Sequence, residues 1–341
     1  MELCVIEGDA VGHEVVPAAV RVLKILMPEV QIIPAEAGFE TLERIGTPLP
    51  QETIDIAVRC RAVLFGAAAS PSFPVEGYFS PIIRLRQILN TYANIRPTRY
   101  VPVPTARPGV DIVVVRENTE DLYVVDEQTN EGGDRSIAQK VITRSATERV
   151  AHAAYKLAQR TDREKVTIVH KANILPQSDG LFRRVALEIA EQYPHIETDE
   201  LLVDTAAYWM VKEPTRFDVI LTSNLYGDIL SDMAAAWGGG LGLAPALNLG
   251  DDAAIAEPVH GTAPDIAGKG IANPIAMILS LGMLISHFWH RDDLAQRIEN
   301  AVRQTINTGS HTFDIYNDGA ISTEAFTELI CENLQQSAEN P

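Results

Sequence analysis

Cysteine and positive charge are both scarce in this chain of 341 residues. The three cysteines, Cys4, Cys60 and Cys331, are scattered and form neither a C-x-x-C pair nor an even disulfide set. Lysine and arginine number 28 against 46 acidic residues, which gives a formal net charge of -18. So acidic a surface repels nucleic acid, because that binding requires basic side chains to neutralise phosphates. We therefore expect no disulfide scaffold, no nucleic-acid partner and a cytoplasmic location.

Long apolar runs are also missing. The N-terminus, MELCVIEGDA, lacks the basic and apolar regions of a signal peptide and is typical of a first strand. The apolar run from Ile275 to Trp289 has 15 residues, fewer than the about 20 that a bilayer requires. The sequence predicts a buried helix there, no export and no membrane partner. We expect disorder only in the polar tail after Asn333.

Two standard phosphate-binding motifs are absent as well. The stretch AEPVHGTAPDIAGKGIANP, Ala256 to Pro274, matches neither G-x-G-x-x-G nor G-x-x-x-x-G-K-[ST], since Gly270 follows Lys269. Its glycines would still let backbone N–H groups approach a ligand, and Asp265 is able to accept a hydrogen bond from a ribose diol. The alternative is a surface loop that binds nothing.

Apolar strand-like runs and amphipathic helix-like segments alternate along the chain. The strand candidates are LCVIEGD, AVLFGAA, DIVVVREN, VTIVHKAN and VILTSNLYGD, with helical patterns such as HEVVPAAVRVLKIL and TERVAHAAYKLAQR between them. This alternation predicts an α/β architecture. The length predicts two lobes, and the proline-rich segment Ile95 to Asp111 is the clearest break between them.

Basic side chains lie close to strand ends, where α/β sheets bind ligands. Arg86, Arg96 and Arg116 are each accounted for by ordinary surface ion pairs. Together they suit a di- or tricarboxylate, because arginine holds carboxylates in a bidentate manner. Lys171 follows a strand and is either a solvated residue or a general base.

Three aspartates, Asp204, Asp228 and Asp232, suggest a metal site. Asp228 and Asp232 are spaced i, i+4 and would share one face of a helix. A simpler account is that Asp228 lies near the positive end of the helix dipole. Two like charges at this spacing repel, however, and a divalent cation would relieve that repulsion. Oxygen ligands without His or Cys favour Mg²⁺ or Mn²⁺.

A series of motifs makes the sequence resemble the β-decarboxylating dehydrogenases, the family of isocitrate, 3-isopropylmalate, homoisocitrate and tartrate dehydrogenases. Its motifs cover essentially the full chain: IEGDAVGHEV, YANIRP, VRENTEDLY, HKAN, SNLYGDILSD, EPVHGTAPDIAGKGIANP and STEAF. The resemblance implies an isopropylmalate dehydrogenase-like two-lobed α/β fold with a shared mixed sheet, not a Rossmann fold. It also implies a discontinuous cofactor-binding lobe, residues 1–98 plus 240–341, and a second lobe, residues 99–239, with the dimer interface and an arm.

The family oxidises C2 of an (R)-2-hydroxy acid with NAD or NADP and then removes CO₂ from the β-carboxylate. By their places in the motifs, Arg86, Arg96 and Arg116 match its substrate-binding arginines. Lys171 matches the base that removes the hydroxyl proton, and Tyr123 matches the acid that protonates the enolate.

The resemblance also assigns the metal site and the assembly. Asp204, Asp228 and Asp232 match the carboxylates around Mg²⁺ or Mn²⁺. Lys171 and Asp204 are expected to reach the partner subunit's active site, which implies a homodimer or a dimer of dimers with shared active sites.

Ten positions match the family's cofactor site, and they indicate NAD. They are Ser70, Asn173, His260, Gly261, Thr262, Ala263, Pro264, Asp265, Ile266 and Asn273. Members that use NADP have Lys and Tyr where Asp265 and Ile266 stand. An aspartate accepts a hydrogen bond from the ribose 2'-hydroxyl and repels a 2'-phosphate. Lys269, between two glycines, is expected to be solvated.

The segment from Ser70 to Arg86 is expected to select the γ-substituent of the substrate. Ser80 stands where isocitrate enzymes have a serine that contacts the γ-carboxylate. Ile82 and Ile83 stand where isopropylmalate enzymes place leucines, and one homoisocitrate pattern has a basic residue at Ile83. Because this chain lacks that basic residue, a distal carboxylate of the substrate would have to bind to Arg84 or to a main-chain group. The overall similarity favours homoisocitrate, with activity towards isocitrate, and leaves 3-isopropylmalate as the alternative.

Two positions depart from the family's usual motifs. GDAVG replaces GDGIG, so that Ala10 stands for a glycine, and RENTED replaces RENTEG, so that Asp121 does. An alanine that must adopt a positive φ costs about 1 kcal/mol.

An alternative of another class is a non-catalytic regulatory subunit, but the chain keeps the full set of Tyr, Lys, Asp and Arg residues.

Overall fold

The computed structural model describes residues 1–339, with side chains described through residue 336. The chain forms two compact units. Unit 1 comprises Met1–Asn90, Tyr100–Pro108 and Ala235–Pro341, and unit 2 comprises Thr91–Arg99 and Gly109–Ala234. Which unit binds a cofactor and which one dimerises stays a prediction.

Within the described residues the chain contains twelve strands and eleven α-helices. The strands are β1 (Glu2–Gly8), β2 (Gln31–Ala35), β3 (Ala62–Ala67), β4 (Ala93–Arg99), β5 (Asp111–Glu117), β6 (Glu127–Thr129), β7 (Ser136–Ala138), β8 (Lys165–His170), β9 (Glu197–Leu202), β10 (Val219–Thr222), β11 (Pro245–Leu249) and β12 (Ala254–Pro258). The helices are α1 (Gly12–Leu26), α2 (Phe39–Ile45), α3 (Gln51–Cys60), α4 (Pro81–Ile88), α5 (Arg144–Arg160), α6 (Ser178–Ala190), α7 (Val203–Lys212), α8 (Asn224–Trp237), α9 (Ile275–His287), α10 (Asp292–Asn307) and α11 (Thr323–Glu339).

Unit 1 has a five-stranded layer in the order β2, β1, β3, β12, β11. Its strands pair in parallel except β11 and β12, which are antiparallel. Every residue of β3 is buried, because helices cover both faces of the layer: α1, α9, α10 and α11 pack on one face, and α3 and α4 on the other. Strands covered in this way are nearly continuously apolar, as the run AVLFGA shows.

Helix α9 accounts for most of the longest apolar run. Nine of its thirteen residues are buried in the core of unit 1, so the predicted buried helix is confirmed. Among the described residues no helix combines the length and apolarity that a bilayer span requires.

Unit 2 has the strand order β4, β5, β10, β8, β9, with β4 and β5 antiparallel and the other pairs parallel. Strands β6 and β7 form a separate antiparallel pair. The segment Ile95 to Asp111, predicted as a break, begins as the last five residues of β4, becomes a loop after Arg99 and ends at the first residue of β5. A strand accepts Pro97 because its fixed φ is compatible with the β region, and only one N–H is lost.

The predicted fold class is confirmed: the chain is α/β, and its strand pairing is mixed. All five strand candidates are strands, namely β1, β3, β5, β8 and β10, and both helical patterns are helices, α1 and α5. The prediction of disorder after Asn333 is wrong as far as Glu339, because α11 continues to that residue. The rest of that tail, residues 340–341, lies outside the described residues.

Candidate active site

Tyr123, Arg116 and Asp228 form the centre of a charged cluster in unit 2. Tyr123 lies in a 3₁₀ turn after β5, and its hydroxyl donates a hydrogen bond to Oδ2 of Asp228 at 2.7 Å. The guanidinium of Arg116 pairs with Oδ1 of the same carboxylate and lies 4.8 Å from the centre of the Tyr123 ring. Gly227 makes room for this arrangement, because a Cβ there would lie 2.6 Å from the Cβ of Arg116.

Arg96 joins the same cluster from the neighbouring strand. Asn94 of β4 is in register with Arg116 of β5, and Arg96, two residues further on, lies on the same face of the sheet. Its Nη1 lies 3.3 Å from Oδ1 of Asp228 and 3.5 Å from Oδ1 of Asp232. The two aspartates therefore share one face of α8, as their spacing predicts.

Burial dominates the electrostatics of this cluster. It raises the pKa of Tyr123, and the Asp228 carboxylate adds to that shift while Arg116 opposes it. Burial also raises the pKa of Asp232, and the nearby Asp228 adds to it. The Arg116 side chain is 1% exposed, and its Nη2 has no acceptor among the residues that the structure describes. A buried donor without a partner is unfavourable, so this atom suits an incoming anion.

Lys171 and Asp204 form a second pair in unit 2. Lys171 directly follows β8, and its ammonium pairs with Asp204 in the first turn of α7. The hydrogen bond from Lys171 lowers the pKa of Asp204. Of the three predicted metal ligands, Asp228 and Asp232 thus lie together, whereas Asp204 pairs with the predicted base. Across residues 1–339 of one chain, no three or more His, Cys, Asp or Glu side chains are grouped to hold a metal ion.

Arg86 belongs to unit 1, where α4 carries it. Its buried guanidinium pairs with the buried Glu257 of β12, and Asn248 donates to the same carboxylate at 2.9 Å. Ser80 is the N-cap of α4, and its Oγ accepts a hydrogen bond from the N–H of Ile83 at 3.5 Å. Because that contact uses only the oxygen, the hydroxyl proton of Ser80 remains able to donate to a ligand.

The other specificity candidates lie on the same helix, α4. Ile82 packs against the core of unit 1, and Ile83 is half-buried. Arg84 is exposed, and its nearest recorded acceptor is Gln87 at 3.5 Å. Of these three residues, Ile83 and Arg84 are therefore the ones available to a ligand without disturbing the core.

Backbone hydrogen bonds fix the glycine- and proline-rich loop within unit 1. Val11, in the loop after β1, donates to the carbonyl of Thr262 at 3.3 Å. Gly268 donates to Oε1 of Glu14 on α1 at 2.7 Å. Ala263 has a φ of 40°, in the left-handed region. The loop is thus held against the first βα turn of the chain, in the manner of a preorganised ligand-binding segment.

The predicted cofactor residues differ in their exposure. Ser70, Asn173, Gly261, Pro264 and Asp265 are exposed, whereas His260, Thr262, Ala263 and Ile266 are half-buried. Burial lowers the pKa of His260. Asn173 is in unit 2 and the other nine are in unit 1. Lys269 is exposed, as expected for a solvated residue.

Asn273 is the predicted cofactor residue most fully engaged by the protein. Its amide donates to Oδ2 of Asp314 at 3.1 Å and accepts from the N–H of Ile275 at 3.0 Å. These bonds leave one amide hydrogen and one lone pair of the amide oxygen for a ligand.

Several residues of these clusters were missed from the sequence. Glu257 and Asn224 are the partners of Arg86 and Arg116. Both lie at or just after the end of an apolar strand, so the signal that singled out the basic residues would have found them. Glu120 gave no such signal, yet burial raises its pKa to about 7.

Comparison with known proteins adds an independent result. The family model described as isocitrate/isopropylmalate dehydrogenase matches residues 2–330. The isocitrate/homoisocitrate dehydrogenase of Thermus thermophilus is 50% identical over 333 residues, which cover 98% of each chain. The 3-isopropylmalate dehydrogenase of Methanothermobacter thermautotrophicus is 43% identical over 336 residues, which cover 98% of this chain and 99% of the relative.

A solved structure agrees with the sequence comparison. The crystal structure of isocitrate dehydrogenase from Methylococcus capsulatus superposes with a TM-score of 0.94 at 44% identity, and covers 98% of this chain and 99% of its own. Sequence and fold thus give the same answer. The chain belongs to the isocitrate/isopropylmalate dehydrogenase family.

Proposed function

We propose that the protein catalyses NAD-dependent oxidative decarboxylation of an (R)-2-hydroxy-3-carboxy acid, with homoisocitrate as the preferred substrate and isocitrate as a second one. One observation supports this most directly: Tyr123, Arg96 and Arg116 meet at the carboxylates of α8. A phenol that can donate a proton and arginines that can bind carboxylates are the groups that such a reaction needs. The alternative of a non-catalytic subunit would not need this set.

The arginines are assigned to the substrate's carboxylates. The Nη2 of Arg116 is buried without an acceptor among the described residues, so a carboxylate oxygen would satisfy it. Arg96 is 8% exposed, and its Nη1 lies 3.3 Å from Oδ1 of Asp228, which places a second cation in the same cluster. Arg86 is assigned the same role because the family resemblance matches it to a substrate-binding arginine.

Two proton transfers are assigned to side chains of unit 2. The partner subunit's Lys171 would remove the proton of the C2 hydroxyl, and NAD, when bound, would accept the hydride of C2, so that a β-keto acid results. The bond to the β-carboxylate then breaks, CO₂ leaves, and the electron pair remains on C3 as an enolate. Tyr123 donates its proton to C3. Burial raises the pKa of Tyr123, which keeps this acid protonated at neutral pH.

A divalent cation, Mg²⁺ or Mn²⁺, fits the donor chemistry of α8. Asp228 and Asp232 supply hard oxygen ligands on one face. Burial raises the pKa of Asp232 and the charge of Asp228 adds to that shift, a repulsion that a cation would relieve. We assign these two residues, with the partner subunit's Asp204, to the metal. When bound, the cation would polarise the C2 oxygen and stabilise the enolate. This sharing implies a homodimer, or a dimer of dimers, in the cytoplasm.

NAD is assigned on the chemistry of the loop in unit 1. Asp265 is exposed and follows the backbone of Thr262 and Ala263, which is held by the turn after β1. Its carboxylate would accept a hydrogen bond from a ribose 2'-hydroxyl and would repel a 2'-phosphate.

Homoisocitrate is preferred over 3-isopropylmalate for two reasons. The relative from Thermus thermophilus, which covers nearly the whole chain, is named for isocitrate and homoisocitrate. The exposed Arg84 and the N-cap hydroxyl of Ser80 offer partners for a distal carboxylate. The half-buried Ile83 favours the alternative, because an isopropyl group would pack against it.

The deciding experiment is a measurement of kcat/KM for homoisocitrate, isocitrate and 3-isopropylmalate with NAD and Mg²⁺. Homoisocitrate is expected to give the highest value. A tenfold advantage for 3-isopropylmalate, about 1.4 kcal/mol of transition-state preference, would reverse the substrate assignment. Absence of NADH formation with all three would support the regulatory subunit instead. The Lys171→Ala variant controls for contaminating activity.

A further inference from the structure

Two buried aspartates and a largely buried lysine of unit 2 lie outside the set assigned to the reaction. The Nζ of Lys140 is 2.6 Å from Oδ1 of Asp179 and 3.6 Å from Oδ1 of Asp121, and it lies 4.2 Å from the centre of the Tyr226 ring. The side chains of Asp121, Asp179 and Lys140 are 0%, 2% and 13% exposed. We call Asp121, Lys140 and Asp179 the buried triad.

Each carboxylate of the buried triad also accepts hydrogen bonds from backbone N–H groups. Oδ1 of Asp121 accepts from the N–H of Leu122 at 2.9 Å, and its Oδ2 accepts from the N–H of Leu225 at 3.1 Å. Oδ2 of Asp179 accepts from the N–H of Lys171 at 2.6 Å.

These three amides belong to segments that carry assigned residues: two carry Tyr123 and Asp228 of the chain's own site, and the third carries Lys171, which serves the partner subunit's site. Leu122 begins the turn with Tyr123, Leu225 lies in the first turn of α8 ahead of Asp228, and Lys171 is itself the assigned base. Lys140 connects the two carboxylates, so one ammonium group joins all three segments.

Stability alone does not account for the buried triad. Removing ions from water costs several kcal/mol each, and buried ion pairs are often no more stabilising than apolar side chains. Asp121 adds backbone strain, because its φ of 72° lies in the left-handed region that favours glycine.

We propose that the buried triad is a positioning network that fixes the segments carrying Tyr123 and Asp228, which serve the chain's own active site, and Lys171, which serves the partner subunit's site. The inference rests on the proposed function for the roles of Tyr123 and Lys171. The triad contacts backbone and not the reacting atoms, so its members are positioning residues. Loss of the Lys140 ammonium would leave two buried carboxylates uncompensated and would release the segments that they hold.

The first test compares Lys140→Met with Lys165→Met. Lys165 begins β8 in the same unit and pairs with Asp199 at 2.7 Å, so it is a matched control for loss of an ion pair. Lys140→Met is expected to lower kcat at least about tenfold, because small displacements of reacting groups are costly. KM for the hydroxy acid should stay within about twofold, because Arg96 and Arg116 lie outside the triad. Lys140→Arg, which keeps the charge, should recover part of kcat.

The second test does not require activity. Amide hydrogen exchange should become faster at Leu122, Leu225 and Lys171 in Lys140→Met but not in Lys165→Met. Asp121→Gly, which keeps the ion pair between Lys140 and Asp179, should speed exchange at Leu122 and Leu225 only. This variant also serves if Lys140→Met does not fold.

The outcomes separate the two proposals. A wild-type protein that forms no NADH with any tested hydroxy acid refutes the proposed function, and exchange then decides the triad alone. Equal kcat in Lys140→Met and Lys165→Met, or unchanged exchange at all three amides, overturns the positioning network.

Discussion

The phenol of Tyr123 is joined to Asp228 by a hydrogen bond of 2.7 Å, so the assigned proton donor and an assigned metal ligand are in direct contact. Arg116 contacts both, through an ion pair with the carboxylate and through the face of the ring. A change in any one of these side chains therefore affects the other two. Removing only the hydroxyl of Tyr123 eliminates its hydrogen bond to Asp228 and keeps the contact between its ring and Arg116.

Tyr123→Phe keeps the ring above Arg116 and removes the proton. We expect kcat to fall about 10²- to 10⁴-fold, as for loss of a general acid, while KM for the hydroxy acid changes little. NADH formation and CO₂ release are measured together. Tyr155→Phe is the control, because it also loses a phenol hydrogen bond in unit 2, to Thr198 at 2.8 Å. Equal kcat for the two variants would remove Tyr123 from the reaction.

The loop in unit 1 predicts a change of cofactor preference. Replacing Asp265 by Lys and Ile266 by Tyr should raise the ratio of kcat/KM for NADP to that for NAD, because a cation attracts the 2'-phosphate that the aspartate repels. Lys269→Ala should leave the ratio unchanged, since Lys269 is exposed and assigned no role. An unaltered ratio in the double variant would contradict the placement of Asp265 at the ribose.

The first turn of α4 predicts a change of substrate preference. Ile83→Arg gives a distal carboxylate a bidentate partner, at a half-buried position beside Ser80. The ratio of kcat/KM for homoisocitrate to that for 3-isopropylmalate should rise at least about tenfold. Ile83→Leu, which keeps the apolar surface, should leave it within about threefold. No difference between the two variants would place the selective contact elsewhere.

The loop after β1 predicts a gain in stability. Ala10 has a φ of 53°, so the condition under which the sequence predicted strain is met. Ala10→Gly should raise the free energy of unfolding by about 1 kcal/mol, measured by urea denaturation. Ala18→Gly, in the interior of α1, should lower it by a similar amount. A loss of stability in Ala10→Gly would show that the surrounding contacts, not the backbone, decide this position.

The sequence was sufficient where a local pattern determines the outcome. Continuous apolar runs identified five strands but not β12, all of whose residues are buried, and the i, i+4 spacing placed Asp228 and Asp232 on one face of α8. It failed where a strand is polar: β9, ETDELL, has no buried residue in its pattern, because it lies at the edge of its layer and has a single neighbouring strand.

Long-range pairing was the other limit. Lys140 lies in a polar stretch without periodicity, and its partners Asp121 and Asp179 are 19 and 39 residues away in the sequence. Nothing in the local pattern distinguishes such a lysine from a solvated one, because burial and pairing are both set by tertiary contacts.

Glu120 predicts an unusual dependence of stability on pH. Its carboxylate accepts from the N–H and the hydroxyl of Thr143, both at 2.8 Å, and the residue is 6% exposed. Burial raises its pKa from 4.5 to about 7, and the charges of Glu117 and Asp121 add to the shift. The folded protein thus binds this proton more tightly than the unfolded chain does.

The sign of the effect follows from that difference. The stabilisation is fully present below the unfolded pKa of 4.5 and is lost as the pH rises through about 7. Glu120→Gln keeps an acceptor for Thr143 but cannot ionise. Relative to wild type, its free energy of unfolding should therefore increase between about pH 5 and about pH 8, by on the order of 2 kcal/mol. Urea denaturation at both pH values measures this difference, and a constant difference would mean that Glu120 ionises as readily in the folded protein as in the unfolded chain.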